Sequence, residues 1–278
     1  MTMISGRRAR AAAAGVLAIA IHASAFGATA QGASAAGPPV GGAPTTAAPP
    51  APPTAPGTPT SPAPPANRVL SNERTLTVSA HPVTEANIRE RPLDGARIIA
   101  RTHLATEDGY PEVYLLLSSF IDARGQTWVR MRIPGRPNGR IGWVLRRSLG
   151  EFHVTHWLIV ISLSGHWLKA YDNGRLRFKA PVGVGKPSSP TPPGHFWIRE
   201  RFRVENRGNP YWPYAMGTSD YSTLTDWPGG GVVGIHGDLG EPNAIPGAPS
   251  HGCVRLRDRD IARLAPQIPL GTPVHIIR

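Results

Sequence analysis

The stretch from Gly234 to Leu256, GIHGDLGEPNAIPGAPSHGCVRL, contains the only cysteine of a 278-residue chain. Cys253 follows Ser250, His251 and Gly252, and a second histidine, His236, stands upstream in an Ile-His-Gly triplet. A thiol attacks well only as thiolate, and with an ordinary pKa of about 8.5 roughly 3% of it is ionised at pH 7. Imidazole is the side chain best matched to take that proton near neutrality. Gly252 lets a substrate carbonyl approach the backbone amides around Cys253, which are candidates for an oxyanion hole. Two other readings compete. A lone cysteine is commonly a small buried hydrophobe. His236, Asp238, His251 and Cys253 are also zinc-ligand types, but H-x-D and H-x-C match no familiar closed site. A cysteine nucleophile with a histidine base is the reading these residue types favour.

His236, followed after thirteen residues by Ser250-His251-Gly252-Cys253-Val254-Arg255, resembles the signature of the L,D-transpeptidase catalytic domain, the YkuD-like family. The resemblance covers nearly all of 151–278. It implies a β-rich catalytic domain with short helices and acyl transfer on peptidoglycan stem peptides. It makes Cys253 the nucleophile and His236 the general base, with Ser250, His251, Gly252 and Arg255 as supporting and oxyanion residues. It further implies a Cys253 thioester, release of D-alanine, 3→3 cross-links, no cofactor or metal, and acylation of Cys253 by carbapenem-type β-lactams. From the residues alone, Arg255 either orients a carboxylate or braces the loop. An L,D-carboxypeptidase, in which water takes the acyl group, uses the same cysteine. A non-catalytic wall-binding protein is the third alternative. Asp238 departs from the family pattern, in which threonine is common after His-Gly.

Outward from this stretch, the rest of 151–278 reads as strands. Trp157–Leu163 is a strongly apolar run, and 167–171 and 176–184 flank Asp172-Asn173-Gly174, a tight-turn signal. Thr191-Pro192-Pro193-Gly194 leads into a strand over His195–Arg199, matching a segment of the same family. A strand over 231–235 delivers His236 at its end. Arg257–Leu264 has a short helical pattern with Asp258 as cap, and Pro273–Ile277 closes the sheet. Tyr211-Trp212-Pro213-Tyr214 and 220–227 read as aromatic-rich connections, either a wall of the cleft or loops folded on their own rings.

Residues 68–150 read as a separate small β domain. Strand candidates are 75–78, 97–100, 113–117 and 127–133, and Gln126–Leu145 is a hairpin carrying Trp128 and Trp143 in its two arms. Asn87-Ile88-Arg89 and the closing Gly142-Trp143-Val144 resemble a bacterial SH3-like domain, which implies a small barrel. Core packing is the expected role of the two tryptophans. The fold class expected for the whole is mainly β, an SH3-like barrel followed by the catalytic domain.

Residues 1–35 carry the marks of a signal peptide: Arg7, Arg8 and Arg10, an apolar run over 11–21, and small-residue triplets at 28–30 and 33–35. Residues 36–67 are mostly Pro, Ala, Gly, Thr and Ser, a composition expected to stay disordered. Export to the periplasm or cell wall follows as an expectation. One cysteine excludes an intramolecular disulfide, so the folded parts must stand on their hydrophobic cores. The net charge of +12 includes the three leader arginines. Attraction to anionic wall polymers fits that balance, whereas no nucleic-acid-binding motif is present. A monomer is expected.

Overall fold

The structure, a computed structural model, describes residues 67–278 except residue 227. The expected leader, and the expected linker up to residue 66, lie outside the described residues, as does Trp227.

Eight strands form the first sheet: β1 (Asn67–Val69), β2 (Thr77–Pro82), β3 (Asn87–Arg89), β4 (Ile98–Arg101), β5 (Tyr114–Ile121), β6 (Thr127–Arg132), β7 (Ile141–Leu145) and β8 (Leu149–Thr155). Their order is β4-β3-β7-β6-β5-β2-β8, with β1 added on β5. Each of the four strand candidates of this region overlaps an observed strand. The expected hairpin is β6–β7, paired from Trp128–Leu145 to Arg132–Ile141. Val78, Ala80, Ile88, Tyr114, Leu116, Val129, Met131 and Val144 form its core. Trp128 is buried, and its Nε1–H donates to Asp122 at 3.0 Å.

The second sheet has ten strands: β9 (Trp157–Ser162), β10 (Trp167–Asp172), β11 (Arg175–Pro181), β12 (Gly183–Gly185), β13 (Gly194–Arg203), β14 (Tyr214–Tyr221), β15 (Val232–His236), β16 (Gly247–Ser250), β17 (Val254–Arg255) and β18 (Pro273–Ile277). They run in the order β11-β10-β9-β18-β13-β14-β15-β17-β12-β16. Asn173 (φ 50°) and Gly174 (φ 75°) are both left-handed, as the tight β10–β11 turn requires. Ile159, Ile161, Leu168, Phe196, Ile198, Met216, Ile235 and Val274 pack beneath the sheet.

Three local expectations differ from the structure. The run 176–184 is two strands, because the chain leaves β10 after Pro181 and β12 crosses to pair with β16 and β17. The aromatic-rich connection contains β14, whose buried Thr218, Ser219 and Asp220 gave no apolar alternation to read. In the single α-helix among the described residues, α1 (Asp258–Leu264), Arg257 holds the cap position and Asp258 is the first helical residue.

The two sheets share buried contacts. Trp197 of β13 packs on Val113 and Leu115, and its Nε1–H donates to the Val113 carbonyl at 2.8 Å. Next along β13, Arg199 is buried against Glu112, Nε to Oε1 2.9 Å, and meets Glu107 at 3.1 Å. Arg136 donates to the carbonyls of Ser222, Leu224 and Gly230. These contacts fix the segment 103–112 beside the second sheet, where it reaches the candidate site.

Candidate active site

His236 ends β15, and Cys253 immediately precedes β17. The two strands are parallel, in the register Ile235↔Val254 and His236↔Arg255, so Cys253 lies level with Gly234. The Gly234 N–H points at Cys253 Sγ at 3.4 Å. A β-carbon on residue 234 would stand 3.7 Å from His236 Cδ2 and 3.9 Å from Cys253 Sγ. The imidazole and the thiol are thus neighbours across one glycine, although 16 residues separate them in the chain.

The His236 ring is held from two sides. Its Nδ1 is 2.9 Å from the Gly237 carbonyl, and a carbonyl can only accept, so Nδ1 carries the proton. Nε2 is left as the proton acceptor. Tyr211 packs edge-on against the ring, centroids 5.1 Å apart. Burial, with Arg255 nearby, lowers the His236 pKa to about 4. Burial also raises the Cys253 pKa, against the Gly234 N–H, which lowers it. The resting pair is therefore a neutral thiol beside a neutral imidazole.

Gly237 sits where no side chain fits: a β-carbon there would lie 2.0 Å from the Trp212 carbonyl and 2.4 Å from Asp258 Oδ1. Asp238 follows, and its carboxylate accepts from the Gly240 N–H at 2.9 Å. Asp238 and Asp258 also exchange backbone-to-carboxylate contacts, at 3.1 and 3.4 Å, which pin the loop after His236 to the start of α1.

The Ser-His-Gly-Cys turn is braced from within. Ser250 Oγ donates to the Cys253 carbonyl at 2.5 Å and accepts from the Gly252 N–H at 3.1 Å. Gly252 has φ +127°, and a β-carbon there would press on Ser222. The Gly252 carbonyl accepts from Thr191 Oγ1 at 2.8 Å, which ties the expected Thr-Pro-Pro-Gly segment to the turn. His251 reaches outward to Lys186 Nζ, at 2.8 Å from its Nε2. Arg255 is buried and pairs with Glu241 at 2.9 Å, on the loop that also carries Asp238. Ser250, His251, Cys253, Arg255 and His236 line one cleft, walled by Tyr211 and Ser222.

The four zinc-type residues His236, Asp238, His251 and Cys253 do not converge. Among the described residues, the ligand-type atoms within 4.8 Å of one another belong to Glu73, His195 and His275. Arg132 already holds that Glu73 with two hydrogen bonds, at 2.7 and 2.9 Å.

A second lobe of the cleft begins at Cys253 and His236 and runs to Glu200, Phe202 and Asp108. None of these last three carries a sequence signal. Glu200 lies in an ordinary-looking strand, and Asp108 comes from the segment between β4 and β5 of the first sheet. The charge of buried Asp220 helps to raise the Cys253 pKa. The pKa of Asp220 itself is raised to about 7 by burial, partly countered by the Thr218 hydroxyl.

Residues 156–276 match the model of the YkuD family, the L,D-transpeptidase catalytic domain. The YkuD protein of Bacillus licheniformis is 36% identical over 118 residues, which cover 42% of this chain and 64% of the relative. That of Bacillus subtilis is 34% identical over 131 residues, covering 47% and 72%. Among solved structures, the Ldtfm–avibactam carbamoyl enzyme is 25% identical with a TM-score of 0.35, over 44% of this chain and 48% of that one. The chain thus spans under two thirds of the first of these relatives and about half of that solved chain.

Proposed function

Because the chain belongs to the L,D-transpeptidase catalytic domain (YkuD) family, we propose that it is a peptidoglycan L,D-transpeptidase working through Cys253. The observation that carries this reading is the pairing of His236 and Cys253 across Gly234, with Nδ1 tied to the Gly237 carbonyl and Nε2 left to act as base.

The donor is a stem tetrapeptide. Nε2 of His236 takes the thiol proton as Cys253 Sγ attacks the carbonyl between the third residue and the terminal D-alanine. The Gly252 N–H is committed to Ser250, so the Cys253 N–H is the amide of the turn that meets the developing oxyanion. The protonated imidazole then gives its proton to the departing amine, and D-alanine leaves a thioester behind. The side-chain amine of another stem's third residue attacks the thioester, and the thiol is regenerated with a 3→3 amide cross-link. Thr191, Ser250 and Arg255 hold the turn and its loop in shape while the charge moves. No cofactor enters these steps. β-Lactams of the carbapenem type acylate the same thiol.

In this reading the protein is exported to the periplasm or cell wall by the leader over 1–35. The part from 68 to 150 is an SH3-like module preceding a catalytic domain over 151–278. Its segment 103–112 contributes a wall of the cleft.

Mass spectrometry of products from purified tetrapeptide muropeptides tests the function, with Cys253→Ala as control. A cross-linked dimer lacking one D-alanine, absent with the variant, is the expected result. Tripeptide monomer alone means an L,D-carboxypeptidase. Unchanged substrate overturns the catalytic reading and leaves a wall-binding protein.

A further inference from the structure

Four residues stand in one row across the second sheet. Glu200 of β13 is paired with Gly217 of β14, Gly217 with Gly234 of β15, and Gly234 lies level with Cys253. Residues paired in one row present their side chains to the same face. The contacts agree. The Glu200 carboxyl carbon lies 3.3 Å from where a Gly217 β-carbon would be, and Cys253 Sγ lies 3.9 Å from the corresponding point on Gly234. The two glycines therefore clear a floor with a thiol at one end and a carboxyl group at the other. Strands are about 4.8 Å apart, which puts the thiol and the carboxyl on the order of 10 Å from each other.

Glu200 is 2% exposed, and neither of its carboxyl oxygens has a hydrogen-bond partner of good geometry among the described residues. A buried carboxylate left in that state is costly. Arg199 and the Thr106 hydroxyl favour its charged form, whereas burial, Asp108 and Glu107 oppose it and raise the pKa to about 7. Arg199 does not neutralise it, because its guanidinium is engaged by Glu112, Glu107 and Tyr221. Asp108 lines the same lobe from the first sheet, together with the apolar Phe202, Met216 and Val232. Two carboxyls above an apolar wall suit an ammonium group on an alkyl stem. A hard divalent cation would need six or more oxygens.

We propose that Glu200, with Asp108 opposite it, forms a subsite for the side-chain ammonium of the acyl donor, carried on the residue whose carbonyl Cys253 attacks. The proposal rests on the transpeptidase reading. The separation selects the donor over the acceptor, because an attacking amine must come to about 3–3.5 Å from the thioester carbon. An ammonium at Glu200 stands too far away to attack and instead measures the donor's side chain. Glu200 is accordingly a specificity-determining residue.

The test uses the full chain in molar excess over each of two donor tetrapeptides, one with a free side-chain amine on its third residue and one with that amine acetylated, so that the first acylation is read before a second donor molecule can act as acceptor. Acylation of Cys253 is followed by intact-protein mass spectrometry at pH 8. The wild-type protein is expected to favour the free amine about tenfold or more, a difference typical of one charge-assisted contact. Glu200→Gln should bring the ratio close to one, Asp108→Asn should lower it in part, and Glu200→Asp should recover some of it. Equal acylation by both donors overturns this proposal and leaves the transpeptidase reading standing. A ratio unchanged in Glu200→Gln also overturns it. Acylation by neither donor removes the transpeptidase reading and the proposal with it. If Glu200→Gln does not fold, the wild-type ratio decides, since it should grow as pH rises through about 7 and a flat profile overturns the proposal.

Discussion

The imidazole of His236 and the thiol of Cys253 meet over Gly234, His236 Cδ2 at 3.7 Å and Cys253 Sγ at 3.9 Å from the point a β-carbon there would occupy. Both groups are buried, and burial penalises the charged form of each: the histidine falls to about 4 and the thiol rises. An imidazolium–thiolate pair is therefore not the resting state at neutral pH. The rate of Cys253 alkylation by iodoacetamide, followed from pH 5 to 10, should inflect above the ordinary thiol value of about 8.5. A reactive plateau already established below pH 7 would contradict this.

Asp220 is fully buried, and its pKa of about 7 lies well above the unfolded value of about 3.9. Between those values the folded protein holds a proton that the unfolded chain has lost, so this group lowers stability as pH rises from about 4 to about 7. Asp220→Asn removes that slope. Thermal unfolding of both proteins at pH 5 and pH 8 should show the variant gaining on the wild type at the higher pH. A gap that stays constant would mean Asp220 is charged in the fold at both values.

Arg199 and Glu112 are 2% and 1% exposed and join the two sheets. Arg199→Met leaves the Glu112 carboxylate buried without its guanidinium and should cost about 3–5 kcal/mol in urea unfolding. The double variant Arg199→Met, Glu112→Leu removes the stranded charge as well and should recover much of that loss. Because Arg199 also holds Glu107, the single variant should loosen the segment carrying Asp108 and raise KM for the donor.

Gly237→Ala would drive a β-carbon to 2.0 Å from the Trp212 carbonyl, a backbone atom with little freedom to yield. Overpacking of this kind costs about 1–3 kcal/mol. The larger effect should fall on activity, because the Gly237 carbonyl holds His236 Nδ1 and any shift re-aims the imidazole. Turnover lost by more than the stability change explains is the expected outcome, from kcat and chemical denaturation measured together.

Much of the site was legible in the chain because its chemistry is local. Ser250, Gly252 and Cys253 form one tight turn, and the Ser250 hydroxyl bonds within it. The hairpin at Asn173-Gly174 and the closing strand Pro273–Ile277 were legible for the same reason, since turn residues and apolar runs act over a few positions. β14 was not, because its buried face is lined by Thr218 and Asp220, which read as loop until a partner strand covers them. The cap at α1 was misread by one residue, because Asp258 is drawn to the Asp238 N–H, a contact across 20 residues that local pattern does not contain.

Residue types and short spacings were enough to single out His236, the Ser250–Cys253 turn and the mainly β character. Only the fold places His236 Nδ1 against the Gly237 carbonyl, buries the imidazole and the thiol so that the charged form of each is disfavoured, and sets Glu200 at the far end of the same cleft. The reason is physical. Burial and neighbouring charge set protonation, and strand register sets which residues share a row, and both arise from contacts between segments far apart in the chain.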